Sequence, residues 1–170
     1  RSVQDYVQFL VTHRFNAVRL PLSADLVNAN RPVSAAACGG AYGGMPMLSV
    51  LDDVLARLKE AGIFVVLDMH TLTHPEGNQP MWCGWEAQCT PATEAPLFAS
   101  WRALASRYCG RAEYAHVIGA DLFHEPFGAK WGAGADGERW DLAAARLGNA
   151  IHAVCARWLI FVQGVGSDAG

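Results

Sequence analysis

Five polar residues that could do chemistry stand at or just after the ends of short apolar runs. They are Arg19, His70, His124, Glu125 and Gln163. A carboxylic acid can donate and accept a proton, and an imidazole or an amide can hydrogen-bond a polar substrate. A guanidinium can hold a carboxylate in one orientation. These groups suit acid–base chemistry on a polar substrate, provided that the fold brings them to one place.

Four apolar runs have the length and composition of buried strands. They span residues 16–20, 63–70, 117–123 and 159–162. The first run is expected to stop at Pro21, which cannot donate to a strand ladder. The second run is apolar on both faces, which is typical of a strand in a parallel sheet.

Helical spacing of apolar residues predicts four helices between and before these strands. The apolar positions lie within 3–11, 48–58, 97–108 and 144–154. Ser2 and Asp5 resemble a capping box at the first start, and Gly62 and Gly110 stand where left-handed caps end helices. Residues 23–46 and roughly 71–95 carry no apolar period and are predicted to be long loops.

The resulting order is one helix, then three strand–helix pairs, then a strand. Repeated β-loop-α units with right-handed crossovers form a parallel sheet. In such sheets, chemistry takes place beyond the carboxyl ends of the strands. The sequence therefore predicts that the five polar residues form one cluster at that edge.

The segments around these residues also carry a family resemblance. Residues 16–21, 66–70, 119–126 and 160–165 read NAVRLP, VLDMH, GADLFHEP and IFVQGV. In this order they resemble successive signatures of glycoside hydrolase family 5, the cellulase-like retaining glycosidases. The resemblance covers nearly the whole chain.

The resemblance implies an α/β fold, a partial (β/α)8 TIM barrel with about strands two to five and their helices. It implies cleavage of β-glycosidic bonds, with Glu125 as the catalytic acid/base at the end of strand four. The nucleophile, a second Glu ending strand seven, is expected outside this chain. Residues 1–170 would then be a single incomplete catalytic domain, a fragment that is inactive alone.

Supporting roles follow from the same resemblance. Arg19 matches an Arg that orients the nucleophile, and the alternative is a rim ion pair with Asp25 or Asp68. His70 matches a His that lines a sugar subsite, and the alternative is a core histidine.

Three positions depart from the family pattern, among them Phe127, where relatives often carry His. His124 stands where an Asn is expected, and an imidazole cannot copy both groups of an amide. Gln163 stands where close relatives carry Glu, which removes a negative charge from the cleft.

Three tryptophans, Trp82, Trp85 and Trp131, fall in predicted loops after strand ends. Sugar rings present apolar C–H faces, so exposed aromatic rings there could act as stacking platforms. Trp82 and Trp131 are favoured because both lie beside matched positions. The alternative for each is a ring folded onto the top of the sheet.

Two other functions remain open. A metal-dependent barrel hydrolase could be built on Asp68 and His70 with His74 nearby, although no further metal-ligand spacing supports it. A carbohydrate-binding remnant without turnover is favoured by the missing nucleophile and by His124. We expect neither a metal ion nor a cofactor.

Composition narrows the remaining choices. The 170 residues carry a net charge of -3 without a basic cluster, so nucleic acid is not an expected partner. No apolar run has the roughly 18 residues of a membrane span. The expected partner is a β-linked polysaccharide, β-1,4-glucan by default, and the family implies secretion.

Five cysteines lack metal spacing. Cys83 and Cys89 are candidates for a short disulfide, whereas Cys109 and Cys155 are expected to be buried thiols.

Overall fold

The computed structural model describes residues 2–36 and 40–166. In this part of the chain, five α-helices and four strands follow one another, with two helices between the first and second strands and short 3-10 turns at Ala112–Tyr114 and Asp136–Glu138. The elements are α1 Val3–Thr12, β1 Ala17–Ser23, α2 Ala24–Ala29, α3 Met47–Glu60, β2 Phe64–Thr71, α4 Pro91–Tyr108, β3 Val117–Asp121, α5 Trp140–His152 and β4 Leu159–Phe161. The sheet has the order β1-β2-β3-β4, and every neighbouring pair is parallel. The predicted parallel sheet is confirmed.

Three predicted boundaries were wrong. β1 continues through Pro21 to Ser23, because it is an edge strand of the described sheet and an edge strand can leave one backbone donor position empty. α2 lies inside the predicted loop 23–46, and its six residues are too few to show a helical period. α4 starts at Pro91, because proline fits the first helical position after the Thr90 cap.

The two faces of the sheet differ because successive side chains of a strand point to opposite sides. On one face Val65, Leu67 and Ala120 are buried in the hydrophobic core. On the opposite face, Leu159 is 57% exposed and Phe161 is 41% exposed. We call this face, with Leu159 and Phe161, the open face of the sheet. It also bears Arg19, whose register partner on β2 is Val66.

Local signals at helix ends were correct. Ser2 accepts a hydrogen bond from the backbone N–H of Asp5, and the Asp5 carboxylate accepts from the Ser2 backbone N–H. Gly62 and Gly110 have φ angles of 70° and 73°, which only glycine adopts without strain. These caps make the helix-to-strand links short, so the long connections all lie at the carboxyl edge.

Two disulfides join parts of the described chain. Cys83–Cys89 closes a loop after β2, as predicted. Cys109–Cys155 joins the end of α4 to the segment after α5. The prediction that Cys109 and Cys155 are separate buried thiols was wrong, because helix packing brings together residues 46 apart. Cys38 lies outside the described residues.

Within residues 2–36 and 40–166, no helix has both the length and the apolar character needed to cross a bilayer.

Candidate active site

Arg19 lies inside β1 rather than at its end, and its guanidinium reaches across the open face to two acids. Nη2 donates to Asp68 Oδ1 at 2.9 Å, and Nε donates to Asp121 Oδ2 at 2.6 Å. The Asp68 side chain is fully buried and the Asp121 side chain nearly so. A buried carboxylate needs such a cation, because its desolvation is costly. The ion pair with Asp68, which was the alternative role for Arg19, is present, whereas Asp25 bonds Ser23 and His74 instead.

Gln163 extends this network to the segment after β4. Its Nε2 donates to Asp121 Oδ2 at 2.8 Å, and its Oε1 accepts the backbone N–H of Glu125 at 3.0 Å. An amide can donate and accept at once, which a glutamate at this position could not do while ionised. Gln163 therefore connects the acids beneath the site to the backbone of Glu125.

The Glu125 backbone is in the left-handed region, with φ of 43°. Such a conformation costs a non-glycine residue about 1–3 kcal/mol and persists only where the surroundings fix it. The hydrogen bond from Glu125 N–H to Gln163 fixes it on one side, and the His124 N–H donates to Met69 O at 3.0 Å on the other. The segment is thus anchored to β2 and to the chain beyond β4.

The Glu125 carboxylate is 65% exposed, and two nitrogen atoms face its Oε2. Asn78 Nδ2 donates to Oε2 at 3.3 Å. His124 Nε2 lies 3.6 Å from the same oxygen, beyond a direct hydrogen bond. The rest of the Glu125 side chain is exposed to solvent.

His70 and His124 stack, with ring centroids 3.8 Å apart and an interplanar angle of 16°. His70 Nδ1 donates to Asp68 Oδ2 at 2.8 Å, and Arg19 Nη2 donates to His124 Nδ1 at 3.0 Å. Burial lowers the pKa of His124, and the nearby His70 and Arg19 lower it further. Burial raises the pKa of Asp68 against the opposing effects of His70 and Arg19.

The zinc alternative can be tested on the same bonds. Asp68, His70 and His124 offer ligand atoms that all lie within 4.8 Å of one another. However, Asp68 has both oxygens engaged, and the Arg19 donor at His124 Nδ1 leaves the ring proton on Nε2. A metal would have to break these bonds, so the donor set fits a satisfied polar network better than a zinc site.

Trp82 is not a stacking platform, which corrects the prediction. Its side chain is fully buried, and its Nε1 donates to Glu94 Oε2 at 2.9 Å. The ring packs against Trp140 with centroids 5.6 Å apart. Arg146 pairs with Glu94 and completes the contact. The sequence could not separate a buried loop tryptophan from an exposed one, because both follow a strand end in a polar segment.

Trp131 is 55% exposed, and Trp85 is exposed as well. Trp131 borders a groove between α5 and β4, beside Gly148 and Ile160. Ile160 packs on α5, so this groove lies on the helix side of the sheet. The role of Trp131 as a sugar platform stays a prediction.

The structure therefore brings together all five polar residues that were predicted to cluster. It adds two that were given no role, Asp121 and Asn78. Asp121 lies within the 119–126 signature, and its place at the end of β3 was the signal. Asn78 lies in an irregular loop whose sequence carries no corresponding signal.

The carboxyl edge of the parallel sheet thus carries an exposed glutamate, an arginine paired with two buried aspartates, and two stacked histidines. The family model for cellulase, glycosyl hydrolase family 5, matches residues 2–169. The chain belongs to this family. With the four parallel strands described above, its fold is a partial (β/α)8 barrel.

Two curated relatives are endoglucanases. The chain is 37% identical over 170 residues to the major extracellular endoglucanase of Xanthomonas campestris pv. campestris, covering 97% of this chain and 33% of that protein. It is 33% identical over 168 residues to an endoglucanase of Paenibacillus polymyxa, covering 97% and 40%.

Solved structures similar to this chain include an endoglucanase and an endocellulase. The catalytic domain of the Xanthomonas endoglucanase matches with a TM-score of 0.82 and 32% identity, covering 97% of this chain and 46% of that one. A cellotetraose complex of an endocellulase from Pyrococcus horikoshii matches with a TM-score of 0.80 and 28% identity, covering 98% and 46%. The chain spans less than half the length of these relatives.

Proposed function

We propose that the catalytic domain to which this chain belongs hydrolyses a β-linked polysaccharide, β-1,4-glucan by default, by the retaining mechanism. Glu125 is the acid/base. The nucleophile is a second carboxylate outside these 170 residues, as the family resemblance implies. Residues 1–170 form one incomplete catalytic domain.

The observation that carries this proposal is the setting of Glu125. Its side chain is 65% exposed at the carboxyl edge, whereas Asp68 and Asp121 are buried against Arg19. An ion-paired, buried acid cannot reach a substrate oxygen. Glu125 can, because its backbone is fixed while its carboxyl group faces solvent.

The chemistry then needs two carboxyl groups about 5–5.5 Å apart. Protonated Glu125 gives its proton to the glycosidic oxygen as the bond from that oxygen to the anomeric carbon breaks. The nucleophile forms an ester to the anomeric carbon. Glu125, now a carboxylate, takes a proton from a water molecule whose oxygen attacks that carbon and releases the nucleophile.

The supporting residues follow from the same geometry. Arg19 presents a fixed guanidinium on the open face, where it would also meet the nucleophile. His70 and His124 form a stacked wall beside Glu125 that would contact sugar hydroxyls. Gln163 holds the Glu125 backbone. Of the two favoured tryptophans, Trp131 remains a candidate for sugar stacking, and Trp85 is exposed as well.

The test is release of reducing ends from β-1,4-glucan by the intact catalytic domain that contains this chain. Glu125→Gln is expected to lower kcat by about 10²–10⁴-fold, because it removes a general acid without changing shape. Glu138→Gln is the matched control. Glu138 lies in the same loop but pairs with Lys130 at 3.0 Å. Equal activity of Glu125→Gln and the unchanged enzyme would refute the assignment.

Residues 1–170 alone are expected to show no hydrolysis, because one carboxylate cannot complete the reaction. Release of reducing ends by this chain that is lost in Glu125→Gln would contradict this.

A second candidate is a glucan-binding protein without turnover. Its supporting observation is His124 in the place where the family resemblance expects Asn. It predicts binding of cellotetraose without release of reducing ends from the intact domain. Steady turnover would exclude it.

Secretion is part of the proposal. Disulfides persist in oxidising compartments, and Cys83–Cys89 and Cys109–Cys155 are both paired. The Xanthomonas relative is described as extracellular. Detection of the protein in culture medium with both disulfides formed would support this location.

A further inference from the structure

Resting on the proposed function, we infer that His124 is a positioning residue whose neutral ring carries its proton on Nε2. His124 and Asn78 both present N–H groups to Oε2 of Glu125. Oε1 is therefore the oxygen of Glu125 that delivers the proton to the substrate. The residue that departs from the family pattern thereby supplies an N–H donor to the site.

Arg19 determines which nitrogen of His124 carries the proton. Arg19 Nη2 lies 3.0 Å from His124 Nδ1. A guanidinium has only donors, so Nδ1 must accept. A neutral imidazole that accepts at Nδ1 carries its single proton on Nε2. Arg19 is itself fixed by Asp68 and Asp121, so this tautomer does not depend on one flexible contact.

The Nε2–H of His124 faces Glu125. Nε2 lies 3.6 Å from Glu125 Oε2, which is too long for a direct hydrogen bond but short enough for attraction between the N–H dipole and the oxygen. Asn78 Nδ2 lies 3.3 Å from the same oxygen. The reverse orientation of the Asn78 amide would set two acceptor oxygens against each other.

Two donors facing Oε2 decide where the acid proton can sit. A protonated Oε2 would itself be a donor directed at N–H groups. The acid form of Glu125 therefore carries its proton on Oε1, the oxygen that neither Asn78 nor His124 faces. Oε1 gives this proton to the glycosidic oxygen, and Oε2 keeps its contacts throughout the step.

The charged surroundings of His124 set its pH behaviour. Arg19 faces it from β1, Asp68 and His70 face it from β2, and Glu125 follows it in sequence. Burial, His70 and Arg19 lower the pKa of His124, so the neutral ring persists to lower pH than in an ordinary histidine. Protonation would place a new N–H on Nδ1 against Arg19 and break that bond.

The experiment compares His124→Phe and His124→Asn in the intact catalytic domain. Phe keeps a flat ring beside His70 but has no donor, whereas Asn restores a donor without a titrating ring. We expect His124→Phe to lower kcat by about tenfold, the low end for a lost contact with a charged group, because Nε2 lies beyond direct hydrogen-bond distance of Oε2. His124→Asn should recover most of that loss and should keep its kcat to lower pH than the unchanged domain, because no imidazole is left to be protonated. His13→Asn, a change at the exposed residue that caps the end of α1, is the control.

Nitrogen-15 NMR of labelled histidine in the same domain reads the tautomer directly. A proton on Nε2 of His124 at neutral pH is expected, and a proton on Nδ1 would overturn the inference. Equal kcat for the Phe and Asn variants, with unchanged melting temperatures, would overturn it as well. An unaltered domain without glucan hydrolysis would contradict the proposed function instead, and the NMR result would still decide the tautomer.

Discussion

The two faces of the four-stranded sheet are built from the same strands but rely on different interactions. Toward the helices, Val65, Leu67 and Ala120 are buried in an apolar layer. On the open face, Arg19 holds Asp68 and Asp121, and apolar rings there stay partly exposed. Stability on the helix side comes from packing, whereas order on the open face depends on charge pairing. Removing a charged side chain from the open face and an apolar side chain from the helix side should therefore change the free energy of unfolding for different reasons.

The largest effect is expected on the open face. Arg19→Met leaves two buried carboxylates without a cation, and we expect a loss of about 3–5 kcal/mol in the free energy of unfolding. Urea denaturation of the chain measures it. Arg111→Met is the matched control, because Arg111 pairs with Glu113 at an exposed site and should cost at most about 1 kcal/mol. Equal losses of unfolding free energy in Arg19→Met and Arg111→Met would show that the buried ion pairs stabilise the fold no more than an exposed one.

The helix side should respond to lost volume instead. Leu67→Ala removes a fully buried side chain and should cost about 2–5 kcal/mol. Leu159→Ala removes the same atoms from the open face of the sheet, where the side chain is 57% exposed, and should cost about 0.5 kcal/mol or less. The same denaturation curves decide this, and a large loss for Leu159→Ala would mean that the open face is covered in solution.

Two tryptophans sharpen the comparison at the carboxyl edge. Trp82→Phe leaves the Glu94 carboxylate without its indole donor and should cost about 1–3 kcal/mol. Trp131→Phe changes an exposed ring and should leave the unfolding free energy within about 0.5 kcal/mol. Thermal melting of both variants tests the difference. A stability loss in Trp131→Phe that matched Trp82→Phe would rule out a free surface ring.

The smallest expected effect is on how the free energy of unfolding depends on pH, and its sign differs between Asp68 and Asp53. Burial raises the pKa of Asp68, so its proton stabilises the folded state at low pH, and this stability is lost as pH rises from the usual aspartate value. Hydrogen bonds from Arg57 and then Tyr42 lower the pKa of Asp53, so its contribution is present above the usual aspartate value and is lost as pH falls.

Stability profiles of Asp68→Asn and Asp53→Asn across the acid range, each compared with the unchanged chain, should therefore differ in the sign of their slopes. Parallel slopes would contradict the assignment of burial as the dominant influence at Asp68.

Much of the fold follows from local sequence patterns. Strand positions, the Ser2 cap and the glycine stops were predicted because apolar period and backbone conformation act within a few residues. The clustering of Arg19, His70, His124, Glu125 and Gln163 followed from strand order alone. The sequence analysis missed α2 because six residues are too few to show a helical period of apolar side chains. It ended β1 too early because an edge strand accepts Pro21, and strand order in the sheet decides which strand lies at the edge.

The amino-acid sequence by itself determined the parallel sheet, the resemblance to the family and the set of polar residues that meet at the carboxyl edge. Only the tertiary structure decided that Trp82 is buried, that Cys109 meets Cys155, that Asn78 reaches Glu125, and that Arg19 fixes the proton of His124. Each of these depends on distances between segments far apart in the chain. Such distances are set by packing, and local residue types do not encode them.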